Sequence, residues 1–215
     1  MTGRARRAES FALRGRYVAL SPLDPAVHAG PLYAMSHGPG RASLWRFLRD
    51  GPFADLPAYR AHLDELVSRD LFMPFVIVAS GSGEVVGKVS LIRFCAEHRS
   101  IEIAYVLFSP VLQGTRGGTE ALYLLVRHAF EHLGCRRCEW RSDTENQASI
   151  RAALRLGFRE EGVLRRHMIV KAHSRDTAVL SLLDLEWPAR KTAIDRWLAP
   201  TNFDTAERQI SSLQR

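Results

Sequence analysis

No run of residues approaches the roughly 18 uninterrupted apolar positions of a membrane span. A secretory signal is not indicated either, because Arg4, Arg6 and Arg7 lead into Ala8-Glu9-Ser10 with no apolar run behind them. Cysteine is scarce: Cys95, Cys135 and Cys138 are an odd number without scaffold spacing, which suits a reducing compartment. A cytoplasmic protein is the expectation. Cys135-Arg-Arg-Cys138 has C-x-x-C spacing, but zinc needs a second ligand pair that the sequence does not supply. A redox pair would follow a strand, whereas this one leads into a strand. The two cysteines therefore read as small residues at a helix–strand junction. His167 and His173 have no partner pattern, so no metal is expected. Internal repeats are absent too.

The 215 residues, 46% hydrophobic and 25% charged, fit one soluble domain with a sizeable core. The formal charge of +7 invites nucleic acid, an anionic membrane or a polyanionic small ligand as partner. Residues 1–16 hold five Arg and one Glu, so +4 of that charge sits near the N-terminus. Nucleic acid is thus not expected as the main partner, the exception being a ribosome contact made by the arm. No membrane partner is expected. Three segments follow: a flexible basic arm over 1–14, a domain over 15–187, and a C-terminal extension over 188–215, part of it helical. Ala193, Ile194, Trp197 and Leu198 have amphipathic spacing, which would let that extension pack back or pair between subunits of a homodimer.

Along the chain, RYVAL (16–20) reads as a short first strand, and the segment from Pro25 as a helix broken by Gly30-Pro31. LWRFLRDGPF is an irregular loop anchored by Trp45, Phe47 and Phe53. Leu56, Tyr59, Leu63, Leu66 and Val67 share one face of a helix over 56–68. Strands follow at 75–79 and 84–94 about the turn Ser80-Gly81-Ser82-Gly83, and a third at 101–108, where Ile101, Ile103, Tyr105 and Leu107 alternate with Glu102, Ala104, Val106 and Phe108. The period then changes. Leu122, Leu125, Val126, Ala129, Phe130 and Leu133 mark a helix over 118–133, before a strand at 137–142, a helix at 146–156 and a final hairpin. Strand, helix, strand is a crossover, which makes the strands at 101–108 and 137–142 parallel neighbours.

Two turns lie beyond the C-terminal ends of those strands, the edge where open α/β sheets form ligand crevices. Gln113-Gly114-Thr115-Arg116-Gly117-Gly118-Thr119 puts three glycines and a capping threonine before a helix, so that backbone N–H groups face outward as an anion cradle. Asn146 caps the next helix, with Ser149 one turn inside it and Leu156-Gly157-Phe158 closing it.

These residues resemble the GNAT acetyltransferase superfamily, and within it the ribosomal-protein N-terminal acetyltransferase branch. The resemblance covers about residues 16–187. It implies an α/β (α+β) fold of GNAT type: a mixed, mostly antiparallel sheet with a splayed parallel central strand pair and helices on both faces. It also implies acetyl-CoA as co-substrate, with its pyrophosphate on the amides of Gln113, Gly114, Thr115, Arg116, Gly117, Gly118 and Thr119 and its pantetheine between the two central strands. The family's turn runs Gln/Arg-x-x-Gly-x-Gly/Ala. Gln113 and Gly118 match its ends, while Arg116 replaces the middle glycine. If that position needed left-handed backbone, the replacement would cost roughly 1–2 kcal/mol.

The implied activity is transfer of an acetyl group to a primary amine, of a protein or peptide N-terminus or a small molecule, by direct attack on the thioester. Backbone N–H groups near Leu107 and Phe108 would polarise the thioester carbonyl. Ser149 would serve the thiolate, and Asn146 the pantetheine or its loop. Glu102 is the leading base, since burial would raise its pKa into a useful range, and His98 is the runner-up. Trp45, Phe47, Phe53 and His98 are the candidates for the acceptor pocket. Two other readings use the same features: a non-catalytic acyl-CoA sensor, and a ribosome- or RNA-associated protein.

Overall fold

The computed structural model describes residues 12–206 and 208–213. Of the arm expected over 1–14, residues 1–11 lie outside the described residues. Leu13 and Arg14 do not belong to an arm: they form strand β1 (Leu13–Arg14), paired antiparallel with β2 (Val18–Pro22), and Leu13 is buried.

The remaining strands are β3 (Phe72–Ala79), β4 (Val85–Cys95), β5 (Ser100–Phe108), β6 (Arg137–Asp143), β7 (Arg159–Val170) and β8 (His173–Leu183). The helices are α1 (Pro25–Ser36), α2 (Leu56–Ser68), α3 (Arg116–Arg127), α4 (Gln147–Arg155) and α5 (Trp187–Leu198). The strands follow the order β1-β2-β3-β4-β5-β6-β8-β7 in one mixed sheet with a single parallel pair, as the crossover implies. By contacts the chain divides into two compact units, Met1–Phe94 with Glu102–Leu125, and Cys95–Ile101 with Val126–Arg215.

In the first unit, β2, β3 and β4 pair antiparallel in sequence, with Val76 opposite Lys88. Trp45, Tyr59, Leu63, Leu66, Val76 and Leu107 are the centre of a core roofed by α1 and α2. Asp55 caps α2 through Ala58 N, and the helix runs end to end over the residues its periodicity marks. Helix α1 differs from expectation, running unbroken through Pro31. A proline removes one N–H and its ring presses on the residue before it. Here that residue is Gly30, which has no Cβ to meet the ring, so the helix loses one hydrogen bond and continues. Strand β5 also departs from strict alternation. Tyr105 takes left-handed backbone in mid-strand (φ +54°), and Ile101, Glu102 and Ile103 are all buried in succession.

In the second unit, β6 and β7 flank β8, both antiparallel to it. The helical stretch after α3 widens into a π turn, His128–His132, and stops at Gly134 in left-handed backbone (φ +64°). Cys135 and Cys138 are buried free thiols, and burial pushes the Cys135 thiol up to about 11, which keeps it protonated and inert. The C-terminal extension packs back on its own unit as α5. Ile194, Trp197 and Leu198 are buried, Trp187 Nε1 donates to Glu131 (3.0 Å), and the Arg155 guanidinium lies over the Trp197 ring (4.4 Å).

Candidate active site

The turn before α3 is built by Thr115 and two glycines. Thr115 is the N-cap: its Oγ1 accepts from Gly118 N (3.1 Å) and donates to Leu112 O (2.8 Å), locking turn to helix. Gln113 Nε2 donates to Phe108 O (3.1 Å), tying the turn to the end of β5. The left-handed position is Gly114 (φ +71°). The close approach is at Gly118, where a Cβ would lie 2.7 Å from Leu112 O. Arg116 carries neither duty. It is the first residue of α3, where backbone is right-handed and glycine confers nothing, and its guanidinium lies 4.4 Å from the Tyr17 ring centroid. The first N–H groups of a helix have no partner inside it, and the helix dipole favours negative charge there. Of the amides expected to hold an anion, those of Gln113, Thr115, Gly118 and Thr119 are taken by Ser109 O, Leu112 O, Thr115 Oγ1 and Thr115 O, which narrows the candidate cradle to the middle of the turn, with Arg116 in place.

Glu120, which sequence reasoning passed over, anchors this helix. Its carboxylate is buried and accepts from the backbone N–H groups of Arg16 (2.8 Å), Tyr17 (2.6 Å) and Val18 (3.0 Å). Three charge-assisted bonds make a buried carboxylate tenable. They fix the start of β2 to the second turn of α3.

Glu102 lies on β5, 5% exposed. What the sequence did not reveal is its partner, Arg93 on β4, whose Nη1 donates to Glu102 Oε2 at 3.0 Å. The guanidinium gives the buried carboxylate a charge-assisted partner. Arg93 is itself held in left-handed backbone (φ +55°). Leu107 is buried and Phe108 half-buried at the end of the same strand.

In the second unit, Asn146 Oδ1 accepts from Ser149 N (3.2 Å) as the N-cap of α4. Trp140 on β6 donates its indole N–H to Ser149 Oγ (3.0 Å). An indole nitrogen only donates, so Ser149 must accept at this contact and keeps its own proton for another partner. Trp140 is buried and its place is fixed by Phe158, 5.8 Å away edge-on.

The expected acceptor-side residues are not gathered in one place. Trp45 and Phe53 meet in an aromatic cluster with Tyr33, His37 and Tyr59. Trp45 is buried and spends its indole N–H on Ser36 O (2.8 Å). Phe47 is half-buried beneath Arg46 outside this cluster, and His98 is exposed on the β4–β5 turn and belongs to the second unit. Among the described residues, no three His, Cys, Asp or Glu side chains gather as metal ligands.

A mixed sheet with one parallel pair, a glycine-rich helix start after the first strand of the crossover and a capped helix after the second are the arrangement that the resemblance to the GNAT fold implies. Residues 18–159 match the acetyltransferase (GNAT) domain family, and the chain belongs to it. It is similar to the crystal structure of a GCN5-related N-acetyltransferase from Brucella melitensis, with a TM-score of 0.92 and 39% identity over 95% of this chain and 93% of that one. A probable GNAT-family acetyltransferase from Chromobacterium violaceum ATCC 12472 is 43% identical, with a TM-score of 0.80 over 84% and 90% of the two chains. The uncharacterised N-acetyltransferase YoaA of Bacillus subtilis (strain 168) is 32% identical over 102 residues, 46% of this chain and 56% of its own length.

Proposed function

We propose that the chain is an acetyl-CoA-dependent N-acetyltransferase acting on a primary amine by direct attack on the thioester. The observation that carries this reading is the turn at 113–119. Thr115 takes the amides of Gly118 and Thr119, while the left-handed Gly114 and the absence of a Cβ at Gly118 shape a turn whose Gly114 and Gly117 amides suit a pyrophosphate. The residues present fit the group: the cradle needs no cationic side chain, and Arg116 adds a positive charge beside it.

When bound, acetyl-CoA supplies the activated acetyl group. In the first unit, the amides of Gly114 and Gly117, which the turn's own hydrogen bonds leave over, hold phosphate oxygens, and backbone N–H groups near Leu107 and Phe108 polarise the carbonyl under attack. Glu102 accepts the proton that the amine gives up, with Arg93 positioning the carboxylate. In the second unit, Ser149 donates its hydroxyl proton to the departing sulfur while Trp140 holds its oxygen, and Asn146 keeps the capped turn in place. The acceptor is a protein or peptide N-terminus, as in the ribosomal-protein branch, or a small-molecule amine.

The test is calorimetric titration of acetyl-CoA, followed by CoA release on an amine panel. A one-to-one isotherm is expected, with thermal stabilisation equivalent to about 2.7 kcal/mol at a hundredfold excess over Kd. A flat titration would overturn the reading. Binding without turnover on any amine would turn the protein into an acyl-CoA sensor.

A further inference from the structure

One charged side chain of the first unit has no place in this chemistry. Lys88 stands in the middle of β4, in the apolar run VVGKVSLI, opposite Val76 and on the core face. It is 4% exposed. Among the described residues its Nζ has no hydrogen bond and no ion pair. The groups around it are the Tyr105 ring, whose centroid lies 5.9 Å from Nζ, His62 on α2, and Asp50 in the loop before α2. Asp50 acts on Lys88 from beyond pairing distance and lies 3.9 Å from His62 Nε2. Arg69 acts on both Tyr105 and His62. Burial first and Lys88 second pull the His62 pKa below its ordinary value, and an imidazole carries no negative charge to offset the ammonium.

A buried, unpaired ammonium is expensive, and an apolar residue of similar volume in its place is often neutral or stabilising. The fold therefore gains nothing from Lys88 as a core residue. An ammonium in that position is poised to pair with an anion brought from outside. The site is sized electrostatically for a single charge, since Asp50 nearby repels a dianion such as phosphate while attracting a cationic amine. Tyr105, in strained left-handed backbone, presents its ring to the Nζ, a feature of residues held for function.

We propose that Lys88 is the anion-recognising residue of an acceptor subsite in the first unit, and that the acceptor carries a carboxylate in addition to its amine. This names a substrate class for the acetyltransferase read above and rests on that reading. Lys88 pairs with the carboxylate, and Asp50 offers the opposite charge to the amine end. The aromatic wall of Tyr105 and Phe72, 5.0 Å apart edge-on, suits the remainder of such a molecule. Burial holds the Lys88 ammonium down to about 8, and a carboxylate ligand would raise it toward the ordinary lysine value of 10.5.

The chain has only three lysines, Lys88, Lys171 and Lys191, so protein labelled with 13Cε-lysine gives three signals. Lys171→Arg and Lys191→Arg assign the other two, and Lys88 follows by elimination in otherwise unaltered protein. The probes are the common L-amino acids and their methyl esters. At least one amino acid is expected to shift the Lys88 signal and raise its titration midpoint, while its ester does neither. If no amino acid moves the signal, or esters move it equally, the proposal is overturned. In CoA-release assays, Lys88→Met should lower kcat/KM for the acid by at least about thirtyfold more than for the ester, and equal losses on both would count against the pairing. Its denaturation midpoint should be unchanged or higher, whereas a purely structural lysine would lower it. Turnover on amines with no preference for a carboxylate removes the subsite and leaves acetyl transfer standing. A moving Lys88 signal without CoA release from any acceptor does the reverse.

Discussion

Replacing Gly118 by alanine is the sharpest perturbation of the cradle. The new Cβ would lie 2.7 Å from Leu112 O and 3.3 Å from a Phe108 ring carbon. An ordinary carbon–oxygen contact is about 3.3 Å, so carbonyl or helix start must move by about 0.6 Å. Leu112 O is not free to retreat, because it accepts from Thr115 Oγ1 at 2.8 Å. Overpacking of this kind costs about 1–3 kcal/mol. Alanine returns about 0.5–1 kcal/mol as the better helix former. The net is a destabilisation of about 0.5–2 kcal/mol, or roughly a quarter to one molar off the urea midpoint at a slope of about 2 kcal/mol/M. Acetyl-CoA affinity, read by calorimetry, should fall about tenfold as one amide contact is lost, on the order of 1.4 kcal/mol. A Gly118→Ala protein with an unchanged midpoint and unchanged affinity would refute the close-approach argument. Arg116→Gly, which restores the family's glycine, should gain no affinity and lose about 0.5–1 kcal/mol of stability with the Tyr17 contact.

Glu102→Gln is expected to lower kcat by about a hundredfold with acetyl-CoA affinity preserved, and undiminished turnover would remove Glu102 as the base. Trp140→Phe keeps the ring and deletes the donor to Ser149. A several-fold loss in kcat should follow, and it should be absent in a Ser149→Ala background; equal losses in both backgrounds would break the link. Burial, aided by neighbouring His132, pulls the His128 imidazole down to about 4. The unfolded chain takes up that proton near pH 6.5 while the folded one refuses it, so stability falls as pH drops from about 6.5 toward 4, by up to about 3 kcal/mol. His128→Phe should flatten that limb of the urea midpoint against pH, and parallel curves would show that other groups set it.

The features legible in the sequence were those set by neighbours along the chain. Helix α2 was readable because five apolar residues at helical spacing specify it locally, and the Asp55 cap agrees with them. The turn at 113–119 was readable as glycines before a helix, though which glycine does what was not: the left-handed position is 114 and the close approach 118. Strand β1 is two residues long and has no pattern to detect. The left-handed backbone of Tyr105 has no sequence signal, since tyrosine is not a residue that such a conformation prefers. The partners of the candidate site were hidden for a related reason. Glu120 meets residues more than a hundred positions away, Arg93 reaches Glu102 only across two strands, and Trp140 reaches Ser149 from strand to helix. Only Lys88 left a trace, as a lone charge in an apolar run.

The three bonds from Glu120 to residues 16–18 change where the cradle begins. A chain shortened to start at Ala19 would retain every glycine of the turn, the Thr115 cap and all of α3, yet would leave a buried carboxylate without its three donors. Gly15 belongs to the same joint, since a Cβ there would lie 2.4 Å from the Glu120 carboxyl carbon. The opening residues of the domain are thus tied to the helix that carries the proposed cradle, and a pull on one end of that joint is felt at the other.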